Sequence, residues 1–236
     1  MEIDKLKDLI KSSNNIVFFG GAGVSTESGI RDFRGKNGLY QEKNNKYPPE
    51  YMLSHECLVY DSKLFFDYYR QNMNFLKIKP NITHKYLKKL EDSGKLKAII
   101  TQNIDGLHQK AGSKNVLELH GTTYRNYCMK CHKEYKFDYI FNSKKIPKCD
   151  CGGIIRPDVI LYGESLGDVY LKSIDYIKKA DLLIVAGTSL TVEPASSLVK
   201  YFRGSNLVII NMDITPYDKL ADLVINEPLG EVFSKL

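Results

Sequence analysis

The chain of 236 residues has no apolar run approaching the roughly 18 residues that a membrane-spanning helix needs. Its opening stretch, "MEIDKLKDLIKSSNN", carries acids at helical spacing where a secretory leader would have an unbroken apolar segment. Both absences predict a soluble, cytoplasmic protein. No block of one charge sign stands out: the net +6 comes from scattered lysines, with local excess in "KYLKKLEDSGKLK" and "KNNKY". The first of these reads as a solvated helix face or as a surface that recruits acidic partners, and no obligatory nucleic acid follows from either. The five cysteines are an odd number with four crowded into residues 128–151, which argues against a secreted disulfide framework. Cys57 stands apart and reads as a small buried side chain. Internal repeats and low-complexity tracts are absent, and nothing reads as a coiled coil or a long exposed apolar surface, so a monomer is expected.

What is present is enough apolar sequence, 43%, for one sizeable core with a small satellite. Strand-length runs rich in β-branched residues recur: "NIVFFG", "KAIITQ", "NVLELHG", "DVILYG", "DLLIVAGTS", "NLVIIN" and "ADLVIN". Helical patterns such as "THKYLKKLEDSG" and "VYLKSIDYIKKA" lie between several of them. Continuous apolar strands alternating with helices predict a mainly parallel sheet covered on both faces, a doubly wound Rossmann-like α/β fold. Two segments break the pattern, one with the proline-bearing "NGLYQEKNNKYPPEY" and a helix over Asp61 to Met73, the other with the cysteines. We expect one catalytic domain, with a large lobe of about residues 1–35, 80–121 and 157–236 and a small inserted lobe of about 36–79 and 122–156.

Cys128 and Cys131, then Cys149 and Cys151 after seventeen residues, form two close pairs at zinc-ribbon separation. The second pair is the tighter C-x-C, followed by "GG" that relieves the turn. Four thiolates leave no open coordination position, so the expected zinc is structural. Reduced structural or redox-paired thiols are the other reading. His132 is adjacent, but four ligands are already complete, and it reads as a surface residue. The neighbouring Tyr124, Tyr127, Tyr135, Phe137 and Tyr139 would be base-stacking platforms in a nucleic-acid module, or ordinary strand side chains, as their alternation with polar residues favours.

In open α/β sheets ligands sit at the carboxyl ends of strands. Here those ends carry Gly20 to Ser25, Gln102 with Asn103 and Asp105, His120, Gly187 to Ser189, and Asn211 with Asp213. Amides and a carboxylate can read a carboxamide and ribose hydroxyls, and a histidine is the natural base near neutral pH. The bland alternatives are that Asn103 and Asp105 cap the following helix and that His120 is structural. The turn "GGAGVST" supplies G-x-G at Gly21 and Gly23, but the third glycine of a dinucleotide fingerprint falls on Thr26, and no acid ends the next strand.

Together, "GAGVSTESGIRDFRG", "TQNIDGLHQKAG", "LELHGT", the cysteine pairs, "CGGIIRPDVILYGE", "GTSLTVEPASSL" and "NMDITPYD" resemble, in order, the sirtuins, the NAD-dependent protein deacylases. The resemblance runs from about residue 18 to 218. It implies that the glycine turn wraps NAD, with Ala22, Gly23 and Thr26 at contact positions. Asp32, Phe33 and Arg34 would belong to a mobile cofactor loop, Phe33 shielding the reactive sugar face and Arg34 holding pyrophosphate charge. Arg31 departs from the family's usual proline, which relaxes the backbone before Asp32.

The resemblance further implies an acyl-lysine protein or peptide as substrate, with NAD consumed. The acyl oxygen would attack the anomeric carbon as nicotinamide leaves. His120 would act as general base through the ribose hydroxyls, and lysine and O-acyl-ADP-ribose would be released. Gln102 and Asn103 would orient ribose and water, and Ile104 and Asp105 would hold the carboxamide. Gly187, Thr188, Ser189, Asn211 and Asp213 would bind phosphate and adenosine ribose, and Leu229 would close the adenine end. The peptide would enter as an added strand between "VILYGE" and "LTVEP", with Val159, Tyr162, Gly163, Glu164 and Val192 around it. A mono-ADP-ribosyltransferase using the same pocket, or a noncatalytic NAD- or nucleic-acid-binding module, are the rival readings.

Acyl preference is read from "DSKLFFDYYRQNM". The branch of the family that removes succinyl and malonyl groups carries Tyr-x-x-Arg on the equivalent helix. Here Asp67 stands three residues before Arg70, where it would repel an acidic acyl group and engage the guanidinium. Asp32 stands where that branch usually has threonine. Neutral acyl groups, acetyl first, are therefore expected.

Overall fold

The computed structural model describes residues 1–33, 35, 38–41 and 46–236. Nine strands are named in chain order: β1 Ile16–Gly20, β2 Leu96–Thr101, β3 Val116–Glu118, β4 Gly121–Cys128, β5 Glu134–Lys136, β6 Ile155–Val159, β7 Leu182–Ala186, β8 Asn206–Ile210 and β9 Leu223–Ile225. The helices are α1 Glu2–Ser12, α2 Gly23–Thr26, α3 Pro49–Met52, α4 His55–Tyr60, α5 Ser62–Asn72, α6 Ile82–Asp92, α7 Leu107–Lys110, α8 Asp138–Asn142, α9 Asp168–Lys179 and α10 Leu229–Ser234.

Six strands form one parallel sheet in the order β3-β2-β1-β7-β8-β9. The apolar runs are continuous because both faces of this sheet are covered. Along β1, Ile16 and Phe18 enter one core with Leu6 and Ile10 of α1, Leu87 of α6 and Phe233 of α10. The alternate residues Val17 and Phe19 enter a second core with Ile174 and Ile177 of α9. Each such fully buried side chain contributes about 1.5–3 kcal/mol, so neither face tolerates a polar replacement easily.

Strand order reverses between β1 and β7, which places the crevice for ligands outside the carboxyl ends of these two neighbours. The run "DVILYG" does not join the parallel sheet. Its first residues end β6, which pairs antiparallel with β4 in a separate three-stranded sheet, β5-β4-β6. An apolar run alone does not say which edge a strand will find. A third core joins Phe65, Phe66 and Tyr69 of α5 to Cys128, Cys149, Ile155 and Val159. Cys57 is fully buried in it, and burial with the nearby Asp61 pushes its thiol up to about 11. Among the described residues no helix is long and apolar enough to cross a membrane.

Candidate functional site

The turn after β1 explains its glycines before any ligand is considered. Gly21 N–H donates to Ala186 O and Gly23 N–H to Gly187 O, at 3.1 and 2.8 Å. A Cβ on Gly23 would lie 2.7 Å from Gly187 Cα, so the backbones following β1 and β7 meet at the switch point with no room for a side chain. Gly187 itself has φ +60°, a conformation that glycine adopts without strain. Thr26, where a dinucleotide fingerprint has its third glycine, turns its hydroxyl onto Gly23 O at 3.0 Å.

The segment after β2 is joined to this turn by a buried network. Ser25 Oγ donates to Asp105 Oδ2 at 2.7 Å and accepts from Asn103 Nδ2 at 3.1 Å. The other oxygen of Asp105 accepts from Leu107 N–H at 2.9 Å, a bond two residues on that closes the turn into α7, whose N-cap is Gly106 and not Asp105. Burial pushes the Asp105 carboxyl above its usual range, against the pull of Ser25 and Leu107. Gln102 Nε2 donates to Thr188 Oγ1 at 3.2 Å, tying the end of β2 to the end of β7.

His120 follows β3, and its Nδ1 lies 2.9 Å from Gln102 O. A carbonyl can only accept, so Nδ1 carries the proton and Nε2 holds a lone pair. Burial holds this imidazole below its ordinary value, with the bond to Gln102 O opposing the shift, so the ring is neutral at pH 7. That is the protonation state a general base requires.

These groups line one cavity of about 820 Å³, within the range of small-molecule sites. Its wall includes Ala22, Gly23, Thr26, Phe33, Gln102, Asn103, Ile104, Asp105 and His120, then Gly187, Thr188, Ser189, Asn211, Asp213 and Leu229. Val159, Tyr162, Gly163, Glu164 and Val192 line it too. Arg34 lies outside the described residues. Hydroxyl, amide and carboxylate groups at the ends of β7 and β8 are the donors and acceptors that ribose hydroxyls need, so the cavity fits a dinucleotide. Two placements qualify the reading of the sequence. The Glu164 carboxylate is engaged within the chain by Arg156, His55 and Leu161 N–H. Arg31 donates to Asn72 Oδ1 at 3.1 Å, so the residue that replaces the usual proline ties the loop to the end of α5.

Ser25 stands in the sequence only as the last residue of the strand end Gly20 to Ser25, with no role of its own. Leu53, Met73, Phe75 and Ile78, an apolar section of the cavity wall, were not singled out from the sequence either. An apolar residue on an amphipathic helix is read as core, and only packing shows which ones border a void. On α5, Tyr69, Gln71 and Asn72 line the cavity while Asp67 and Arg70 do not. Arg70 donates to Asp67 Oδ1 at 3.0 Å and to Lys145 O at 3.1 Å, turned toward the cysteine module.

In that module the four sulfurs all lie within 4.8 Å of one another. Cys128 to Cys151 is 3.4 Å and Cys131 to Cys149 is 3.6 Å, with no disulfide formed. A tetrahedron with metal–sulfur bonds of about 2.3 Å has edges of roughly 3.8 Å, so the donor set fits zinc. Tyr135 Oη donates to Cys149 Sγ at 3.0 Å. The exposed His132 stacks near Tyr127 and takes no place among the sulfurs. Phe137 stacks on both Tyr124 and Phe141, which occupies those ring faces within the chain.

A parallel sheet with its crevice at the β1–β7 switch point, a neutral histidine aimed into it and a four-cysteine module alongside define a nucleotide-binding α/β enzyme with a structural metal site. Residues 21–194 match the Sir2 family, and the chain belongs to that family. It is 56% identical to the NAD-dependent protein deacetylase of Clostridium acetobutylicum over 98% of this chain and 96% of that protein. The NAD-dependent protein deacetylase of Clostridium tetani is 57% identical, over 96% and 94%. Among solved structures, a Sir2 enzyme with a deacetylated p53 peptide and 3′-O-acetyl-ADP-ribose superposes with a TM-score of 0.91 at 38% identity, covering 100% of this chain and 97% of that one. A Sir2–p53 peptide–NAD⁺ complex gives 0.87 at 38% identity, with the same coverage.

Proposed function

We infer that the chain removes acetyl groups from protein lysines and consumes NAD, giving nicotinamide and O-acetyl-ADP-ribose. The observation that carries this reading is His120, which lines a cavity at the topological switch point and whose Nδ1 is held by Gln102 O, so that Nε2 keeps the lone pair. A module that only bound nucleotide would have no use for a neutral base there. Relatives named NAD-dependent protein deacetylase, similar over nearly their whole length, support the same conclusion.

NAD supplies the electrophilic ribose carbon and, afterwards, the acceptor of the acetyl group. The chain's own residues do the rest. Asn103 and Asp105, braced by Ser25, present an amide and a carboxyl to the ribose and carboxamide. His120 takes the proton of a ribose hydroxyl, so that this oxygen becomes the nucleophile toward the acyl carbon. Thr188, Ser189, Asn211 and Asp213 hold the adenosine half, and Phe33 excludes water from the reacting face. The peptide lies along residues 159–164 and Val192, at and just after the end of β6, where these residues line the cavity. Cys128, Cys131, Cys149 and Cys151 hold zinc, which ties β4 and β6 to α5 through their shared core. The same reading takes the two sheets as the centres of a large and a small lobe, and the protein as a cytoplasmic monomer that needs no nucleic acid.

Incubation with NAD and an acetyl-lysine peptide tests this by mass. Free lysine with equimolar nicotinamide and O-acetyl-ADP-ribose is expected. Protein or peptide heavier by ADP-ribose, with the acetyl group retained, would assign a transferase instead.

A further inference from the structure

Residues 156–164 form an arc whose two ends are an ion pair. Both terminal guanidinium nitrogens of Arg156 reach the Glu164 carboxylate, Nη2 to Oε2 at 2.9 Å and Nη1 to Oε1. The remaining donors of Arg156 go to Pro157 O and Val159 O, at 3.2 and 2.7 Å, so the guanidinium fills the inside of the arc. Arg156 is only 5% exposed. Glu164 also accepts from Leu161 N–H at 2.9 Å, and its own N–H donates to Leu161 O at 3.0 Å. Although burial alone would raise it, these partners pull the Glu164 carboxyl down to about 2.

A second element reaches the same carboxylate. His55, the first residue of α4, places Nδ1 2.9 Å from Glu164 Oε1. Its backbone follows the same edge: Tyr162 N–H donates to Leu53 O and His55 N–H to Tyr162 O, at 3.2 and 3.0 Å. Tyr162 therefore spends both backbone groups on residues 53–55, and Leu161 spends both of its own on Glu164. Gly163, at φ +89° with open space beside it, is left facing the cavity between them. The other end of the arc is tied to the base, since Ile160 N–H donates to His120 O at 2.9 Å.

We propose that His55 and Arg156, acting through the Glu164 carboxylate, are positioning residues that set the affinity of the site for the acyl-lysine peptide. They brace the 161–164 turn from behind, so that Gly163 stays presented to the part of the cavity where the peptide would lie. None of the three needs to touch the peptide with its side chain. The assignment rests on the deacetylase reading and extends it to α4, whose residues do not line the cavity.

Steady-state kinetics on the whole chain with an acetyl-lysine peptide and NAD distinguish this role from a merely structural one. His55 is half exposed, so its replacement leaves the fold intact. Loss of one charge-assisted hydrogen bond at a partly exposed site predicts about a fivefold rise in peptide KM for His55→Ala, with kcat and NAD KM within about twofold. His55→Asn keeps a donor at the Nδ1 position and should restore peptide KM to within about twofold. Arg156→Lys keeps the charge but loses the two-pronged geometry, and a rise of about tenfold or more is expected with NAD binding by calorimetry preserved. Unchanged peptide KM in His55→Ala, an equal loss on NAD, or no rescue by Asn overturns the assignment. If the unmodified chain releases no lysine at all, the deacetylase reading fails first and takes this one with it.

Discussion

His120 directs its Nδ1 at the carbonyl oxygen of Gln102, 2.9 Å away, and this one contact decides which ring nitrogen can act as a base. The bond fixes the tautomer, and burial keeps the ring neutral. His120→Ala should lower kcat by about 10²- to 10⁴-fold, the usual contribution of a general base, while NAD still binds. The acid limb of kcat/KM in the parent should lie below pH 6.5, because the imidazole is held under its ordinary value. A comparable loss of NAD affinity and of rate at saturating NAD would make His120 an anchor instead.

Zinc removal should act on the site indirectly. Cys128 and Cys149 share a core with Tyr69, Val159 and Leu161, three residues that also border the cavity. Binding energy in four-cysteine sites is largely folding energy, so a strong chelator should release one zinc per chain, loosen near-ultraviolet circular dichroism and abolish turnover together. Full activity in a chain shown to be zinc-free would count against a structural metal.

Acyl preference follows from where Arg70 points. Its guanidinium is bound to Asp67 and to Lys145 O and is absent from the cavity wall, so α5 offers no cation to a distal carboxylate. On one peptide sequence, kcat/KM for acetyl-lysine should exceed that for succinyl-lysine at least roughly tenfold, a transition-state difference of about 1.4 kcal/mol. Equal or faster removal of succinyl would refute the assignment.

His84 of α6 and His108 of α7 are buried with ring centroids 4.7 Å apart. Burial drives the His84 imidazole down to about 4, and burial together with His84 drives His108 down as well. Both are neutral when folded, so below about pH 6.5 the unfolded chain binds protons that the native state refuses. Stability should therefore fall as pH drops from 6.5 toward 4, by at most roughly 3 kcal/mol from His84. Urea unfolding at pH 7 and pH 5 measures this. His108→Leu should flatten the dependence relative to the parent, whereas a steeper slope in that variant, or a parent more stable at pH 5, would contradict the account.

Features that depend on neighbours in the chain could be read without coordinates. The strand runs, the two cysteine pairs and the polar residues at strand ends all follow from periodicity or spacing, because one or two covalent steps set which way each residue faces. So did the family, whose motifs are local strings, and the pairing of Asp67 with Arg70, which needs only the pitch of a helix. Tertiary packing decided what lies across the gaps. It set strand order, and with it the switch point at Gly23 and Gly187. It brought Ser25 to Asn103 and Asp105, 78 and 80 residues away, and sent β6 to an antiparallel partner. It turned Arg70 toward Lys145 and aimed His55 at Glu164, 109 residues on. Burial is a property of the assembled core, and no stretch of sequence carries the energy that holds His120, His84 and His108 neutral.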